Sequence, residues 1–135
     1  MSISIKELKG ITDAIVEALK AKNISDNEHL LTAAATPAQR KSLAAECGCD
    51  APQILALANR ADLARIKGVS GVYSDLLEHA GVDTVKELAT RRADNLHTKI
   101  LETNSAQDLT QRPPTLAQVE DWIAQAKDLP KVLSY

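Results

Sequence analysis

Apolar positions recur at spacings of three and four along the chain, a pattern that predicts short amphipathic helices separated by polar breaks. Ile5 to Lys9 forms one apolar-polar turn, and Gly10-Ile11-Thr12 breaks it. Ile11, Ile15, Ala18, Leu19 and Lys22 then keep one helical face, which Asn23 ends. Asp26 is placed to cap a short helix through Leu31. Thr36 followed by Pro37 is a cap with proline at the first helical position. The helix it predicts runs from Pro37 to Glu46, turns Leu43 and Ala44 inward, and stops at Cys47-Gly48. Asp50 with Pro52 opens another, carrying Ile54, Leu55, Leu57 and Ala58.

A further helical run, Arg60 to Ile66, leads into Ile66-Lys67-Gly68-Val69-Ser70-Gly71-Val72-Tyr73. Glycines at 68 and 71 break the helix there, and a second apolar run, Val72 to Ala80, leaves and stops at Gly81. A glycine-rich turn between two helical patterns predicts a tight helix-to-helix connection. Its backbone N–H groups would sit at the start of the next helix, where an anion can be held. Asp83 or Thr84 then starts a helix through Leu88. Asp94 is expected to cap Asn95 to Asn104, with Leu96, Ile100 and Leu101 on one face. Ser105 to Pro114 is an irregular, linker-like stretch. Thr115 with Gln118 has the spacing of a capping box. It precedes a helix from Leu116 to Lys127 whose stripe is Leu116, Val119, Trp122, Ile123 and Ala126. Leu129-Pro130 ends it, and Val132 to Tyr135 reads as a short tail.

The pattern repeats. Gly10 and Gly68 lie 58 positions apart, and at that offset Leu8 meets Ile66, Lys9 meets Lys67, Ile11 meets Val69 and Thr12 meets Ser70. Leu19 meets Leu77, Asn23 meets Gly81, Ile24 meets Val82, Leu30 meets Leu88, Thr32 meets Thr90 and Leu43 meets Leu101, with no gap until near Cys49. Matching turns as well as matching apolar residues points to an internal duplication. The expected fold is all-α: two tandem helical repeats, 1–59 and 60–135, packed as one compact domain, because neither copy alone carries much core.

Composition narrows the function. One Trp, two Tyr and no Phe leave Leu, Ile, Val and Ala to build the core and provide almost no stacking platform for single-stranded bases. Sixteen basic residues against eighteen acidic ones give a formal charge of −2, so there is no general attraction to nucleic acid or anionic membrane. No apolar run approaches the ~18 residues of a membrane span. The first residues lack a signal-peptide pattern, and the expected location is cytoplasmic. Cys47-Gly48-Cys49 has no second cysteine pair to complete four zinc ligands, and His29, His79 and His97 fall on three separate elements. No metal and no cofactor are expected. Asp50, Glu120 and Asp121 lack partners for acid-base work, and no nucleophile constellation, Walker loop or dinucleotide fingerprint appears, so the chain does not read as an enzyme. Trp122 reads as a core anchor.

Ala61 to Val69, followed by Leu76-Leu77 and Ala80 to Thr84, resembles the helix-hairpin-helix superfamily. More closely, the chain resembles a bacterial family of small helical proteins described only as a domain of unknown function. That family shows a similar Asn-Leu-His run, here Asn95-Leu96-His97, and a Val-Glu-Asp-Trp-Ile run, here Val119 to Ile123. The resemblance covers most of the chain, best from Asn59 to Leu129. It implies tandem helix-hairpin-helix repeats, which elsewhere hold a DNA phosphate through turn amides or make protein contacts. The corresponding positions here are Lys67, Gly68, Val69, Ser70 and Gly71. The usual turn is Gly-apolar-Gly, whereas Gly68-Val69-Ser70 and Gly10-Ile11-Thr12 each lack the second glycine, and Asp13 adjoins the first turn. Two functions remain: an interaction or scaffold module with an unknown protein partner, or weak, sequence-nonspecific binding of a DNA backbone through Gly68 to Gly71.

Overall fold

The computed structural model describes residues 2–69 and 71–135. Among these, eight α-helices and one 3-10 turn, Ile5–Glu7, occur with no β-strand, so the fold is all-α. The helices are α1 (Asp13–Lys20), α2 (Asn27–Ala33), α3 (Pro37–Cys47), α4 (Ala51–Leu63), α5 (Gly71–His79), α6 (Val85–Ala89), α7 (Ala93–Gln107) and α8 (Leu116–Asp128).

Most of the starts follow from side chains that satisfy the first free N–H groups of a helix. Asp26 Oδ1 accepts from His29 N–H at 2.8 Å, and Thr84 Oγ1 accepts from Glu87 N–H at 3.1 Å. Thr36–Gln39, Asp50–Gln53 and Thr115–Gln118 are full capping boxes, and proline stands in the first turn of α3 and α4. The expectation for Asp94 is corrected. α7 starts at Ala93 behind Arg92, which caps without a side-chain hydrogen bond. Asp94 instead pairs with Arg92 Nη2 at 3.1 Å, within the first helical turn. Leu101, expected on the buried face, is 39 % exposed, while Leu96 and Ile100 are buried.

The chain divides into two compact units, Met1–Arg65 with Lys131–Tyr135, and Ile66–Pro130. α4 runs unbroken through positions 59 and 60, where the sequence suggested a division. In the first unit α4 packs on α2 and α3, and α3 packs on α1. Ile5, Leu19, Leu30, Ile54, Ala58 and Ala61 are its fully buried centre. Asn27, buried at 0 % exposure, ties the helices by accepting Ile3 N–H at 2.8 Å and donating to Ala61 O at 3.2 Å. In the second unit α8 packs on α6 and α7, and α5 packs on α7. Leu76, Leu77, Leu88, Ile100, Val119 and Trp122 are buried there.

Two turns of the first unit recur in the second at the 58-position offset. Ile11 N–H donates to Leu8 O at 3.2 Å, and Val69 N–H to Ile66 O at 3.3 Å. Ile24 N–H donates to Leu19 O at 2.9 Å, and Val82 N–H to Leu77 O at 2.7 Å. Gly10 and Gly68 have φ of 89° and 94°, and Asn23 and Gly81 have 64° and 95°. These positive values are the left-handed stops that end a helix, where glycine is unstrained and asparagine is tolerated. The correspondence fails after α3 and α7. α8 starts at Leu116, where the same spacing from Ala51 would reach position 109.

The stretch expected to be a linker is ordered at its centre. α7 extends through Gln107, and Asn104 closes the following loop. Its Oδ1 accepts from Leu109 N–H at 3.1 Å and Thr110 N–H at 3.0 Å, and its Nδ2 donates to Thr110 O at 2.9 Å. Tyr73 OH donates to Arg112 O at 2.8 Å, and His97 Nε2 lies 3.0 Å from Pro114 O.

Candidate functional site

The turn expected from the sequence to be the second hairpin, and called so below, lies between Leu63, the last residue of α4, and Gly71, the first of α5. Ile66 is buried and anchors it, Lys67 and Gly68 are exposed, and Val69 is half-buried. Ser70 lies outside the described residues. Lys67 N–H donates to Gln125 Oε1 at 2.8 Å, and Gln125 Nε2 donates back to Lys67 O at 3.1 Å. One glutamine of α8 therefore satisfies both backbone groups of Lys67. The same Nε2 also donates to Asp121 Oδ2 at 2.9 Å, which places a carboxylate beside the hairpin. Val69 N–H is spent on Ile66 O inside the turn.

Gly68 sits against α8 as well. A Cβ added there would stand 3.1 Å from Trp122 Nε1. Trp122 is 2 % exposed, and its ring centre lies 5.3 Å from that of Tyr73, inclined at 50°. This is an ordinary geometry for a packed aromatic pair. The hairpin is thus held by Trp122 and Gln125, with Tyr73 packed on Trp122. The sequence identified Trp122 as a core anchor, but gave no sign of Gln125, which meets Lys67 only through the fold.

The first hairpin differs in its surroundings. A Cβ at Gly10 would meet nothing within 4 Å. Thr12 Oγ1 accepts from Ile15 N–H at 3.2 Å and so serves as the cap of α1. Asp13 is the first residue of that helix, where its charge suits the helix dipole and opposes a phosphate.

Among the described residues, no group of three or more His, Cys, Asp or Glu side chains is placed to hold a metal ion. Cys47 is buried and Cys49 half-buried, both as free thiols. Burial pushes both thiols up, Cys49 adding to the effect on Cys47 and Asp50 to that on Cys49. Such thiols stay protonated near neutral pH and are poor nucleophiles or ligands. No helix among the described residues is long and apolar enough to cross a membrane.

Residues 9–129 match the family described as Domain of unknown function (DUF4332). The chain belongs to this family. The match spans both hairpins, and it includes Gln125 and Trp122 of α8. Neither a curated protein nor a solved structure matches the chain.

Proposed function

We propose that this DUF4332 protein is a non-enzymatic module of helix-hairpin-helix type that works by binding a protein partner. The observation that supports this reading is the way α8 holds the second hairpin. Gln125 takes both backbone groups of Lys67, the Val69 amide closes its own turn, and Trp122 backs Gly68. A phosphate-gripping hairpin needs its amides turned outward and its surroundings basic. Here the unit that carries the hairpin, 66–130, has seven Lys and Arg against ten Asp and Glu, a balance of −3. The hairpin serves as a packing element, and the partner is a protein in the same, cytoplasmic, compartment.

The second reading is weak binding of a DNA backbone. It rests on Lys67, exposed at the tip, and on Gly71, exposed at the start of α5. Capture of the intact protein from its own cell extract, with and without nuclease, separates the two. A stoichiometric protein companion that survives nuclease is expected. Loss of every companion on nuclease treatment would favour the DNA reading.

A further inference from the structure

Cys47 and Cys49 stand on either side of Gly48 at the end of α3. Gly48 has φ 70° and ψ 30°, close to the left-handed helical conformation. Its N–H donates to Ala45 O at 3.4 Å, and Cys49 N–H donates to Ala44 O at 3.0 Å. These two bonds make a Schellman closure, in which the second residue past the helix folds back over its last turn. Cys49 is that residue, and Ala44 is the residue it folds back on. Ala44 also precedes Cys47 by three positions, so those two share a helix face. Burial agrees: Ala44 and Cys47 lie in the first unit's core, and Cys49 packs against it. The two cysteine side chains therefore converge on one side of the turn. The backbone spacing suits a bond between them. A residue with helical dihedrals of either hand holds its neighbours' Cα atoms about 5.4 Å apart. An extended residue would hold them about 6.6–6.8 Å apart. Disulfides span Cα separations of about 4.4–6.8 Å, most often about 5.5–6 Å.

We propose that Cys47 and Cys49 form an oxidisable dithiol, converted to an intramolecular disulfide by low-molecular-weight disulfides such as glutathione disulfide, with Gly48 presetting the pair. Cys49, the more exposed thiol, loses its proton and attacks one sulfur of the oxidant. A mixed disulfide forms and one glutathione thiolate leaves. Cys47 then loses its proton and attacks Cys49 Sγ, displacing the second glutathione thiolate. The two released thiolates take up the two protons. Two protein thiols are thus oxidised by two electrons, and one glutathione disulfide is reduced to two glutathione molecules. Burial raises both thiols, which lowers their thiolate fraction and makes the exchange slow. A thiol of ordinary pKa is also protonated near neutral pH, so the end point does not move. The bond would tie off α3 one residue ahead of Asp50, the cap of α4. In the unfolded chain Gly48 samples extended and helical backbone of both hands, whereas the folded turn keeps one conformation. Sparing the bond that ordering is worth about tenfold in its equilibrium constant.

The test incubates the full chain with glutathione and glutathione disulfide in varied ratio, at mildly alkaline pH, until the populations stop changing. Remaining thiols are blocked with N-ethylmaleimide and the intact mass is read. The chain has two cysteines, so every label counted is theirs. At high glutathione disulfide the dominant species is expected to be a monomer, two hydrogens lighter than the reduced chain and unlabelled. The equilibrium constant for its formation is expected to be about tenfold larger for the folded chain than for the chain unfolded in urea. By the same cycle the oxidised chain should resist unfolding more than the reduced one, by the same factor. Chains that stay doubly labelled, that stop at glutathione adducts, or that cross-link as dimers overturn the proposal. A constant no larger in the folded chain overturns it as well, because the turn would then not preset the pair.

Discussion

Trp122→Ala is expected to destabilise the protein by about 3–5 kcal/mol, the range for a large aromatic removed from a core. The side chain is 2 % exposed, lies on α8 beside Val119, Ile123 and Ala126, and packs on Tyr73. Its removal leaves a cavity under the hairpin, because Gly68 rests on the indole. The loss is large against a total of roughly 0.05–0.15 kcal/mol per residue. Urea denaturation followed by far-UV circular dichroism measures it, since the substitution deletes the one tryptophan. In the wild type the fluorescence maximum should lie to the blue of the unfolded chain. A variant as stable as wild type would show that the indole is exposed and make it a partner contact.

Gly68→Ala and Gly10→Ala should differ, although the two backbones are alike. Both glycines have φ near +90°, where an L residue costs about 1–2 kcal/mol. At Gly10 that is the whole penalty, because a Cβ there meets nothing within 4 Å. At Gly68 the Cβ would come within 3.1 Å of Trp122 Nε1, and overpacking adds about 1–3 kcal/mol. The expected losses are therefore about 1–2 kcal/mol for Gly10→Ala and about 2–5 kcal/mol for Gly68→Ala. Paired denaturation curves read the difference directly. Equal losses would mean that the hairpin can move off Trp122 without cost, and α8 would then not be what holds it.

Features carried by near neighbours were legible in the sequence. Thr36-Pro37, a cap followed by proline, and Thr115 with Gln118, a capping box, announced their helices because each signal is complete within four residues. The turns at Gly10, Asn23, Gly68 and Gly81 were legible because positive φ selects glycine or asparagine. Asp94 misled because a capping-type residue just inside a helix looks the same in sequence as one just before it. What depends on distant partners was not legible. Arg40 and Ser134 are 94 positions apart, and nothing local marks the tail as seated. Lys67 and Gln125 are 58 positions apart, so the sequence could nominate Lys67, Gly68, Val69, Ser70 and Gly71 for a phosphate without showing that α8 takes up the Lys67 backbone. The order of the 108–114 loop likewise depends on Asn104, Tyr73 and His97 together.

The central claim is that the second hairpin serves packing and not phosphate binding, and titration of a labelled DNA duplex tests it most directly. Nonspecific hairpin contacts would give a dissociation constant of about 10⁻⁴ M at physiological salt, with log affinity falling by about 0.9 per phosphate neutralised as log salt rises. The expected result is weaker still: no measurable anisotropy change at physiological salt, for wild type and Lys67→Glu alike. Lys67 is exposed and its side chain carries little stability, so Lys67→Glu should fold as wild type does. Micromolar binding that follows this salt dependence and is abolished by Lys67→Glu would contradict the account.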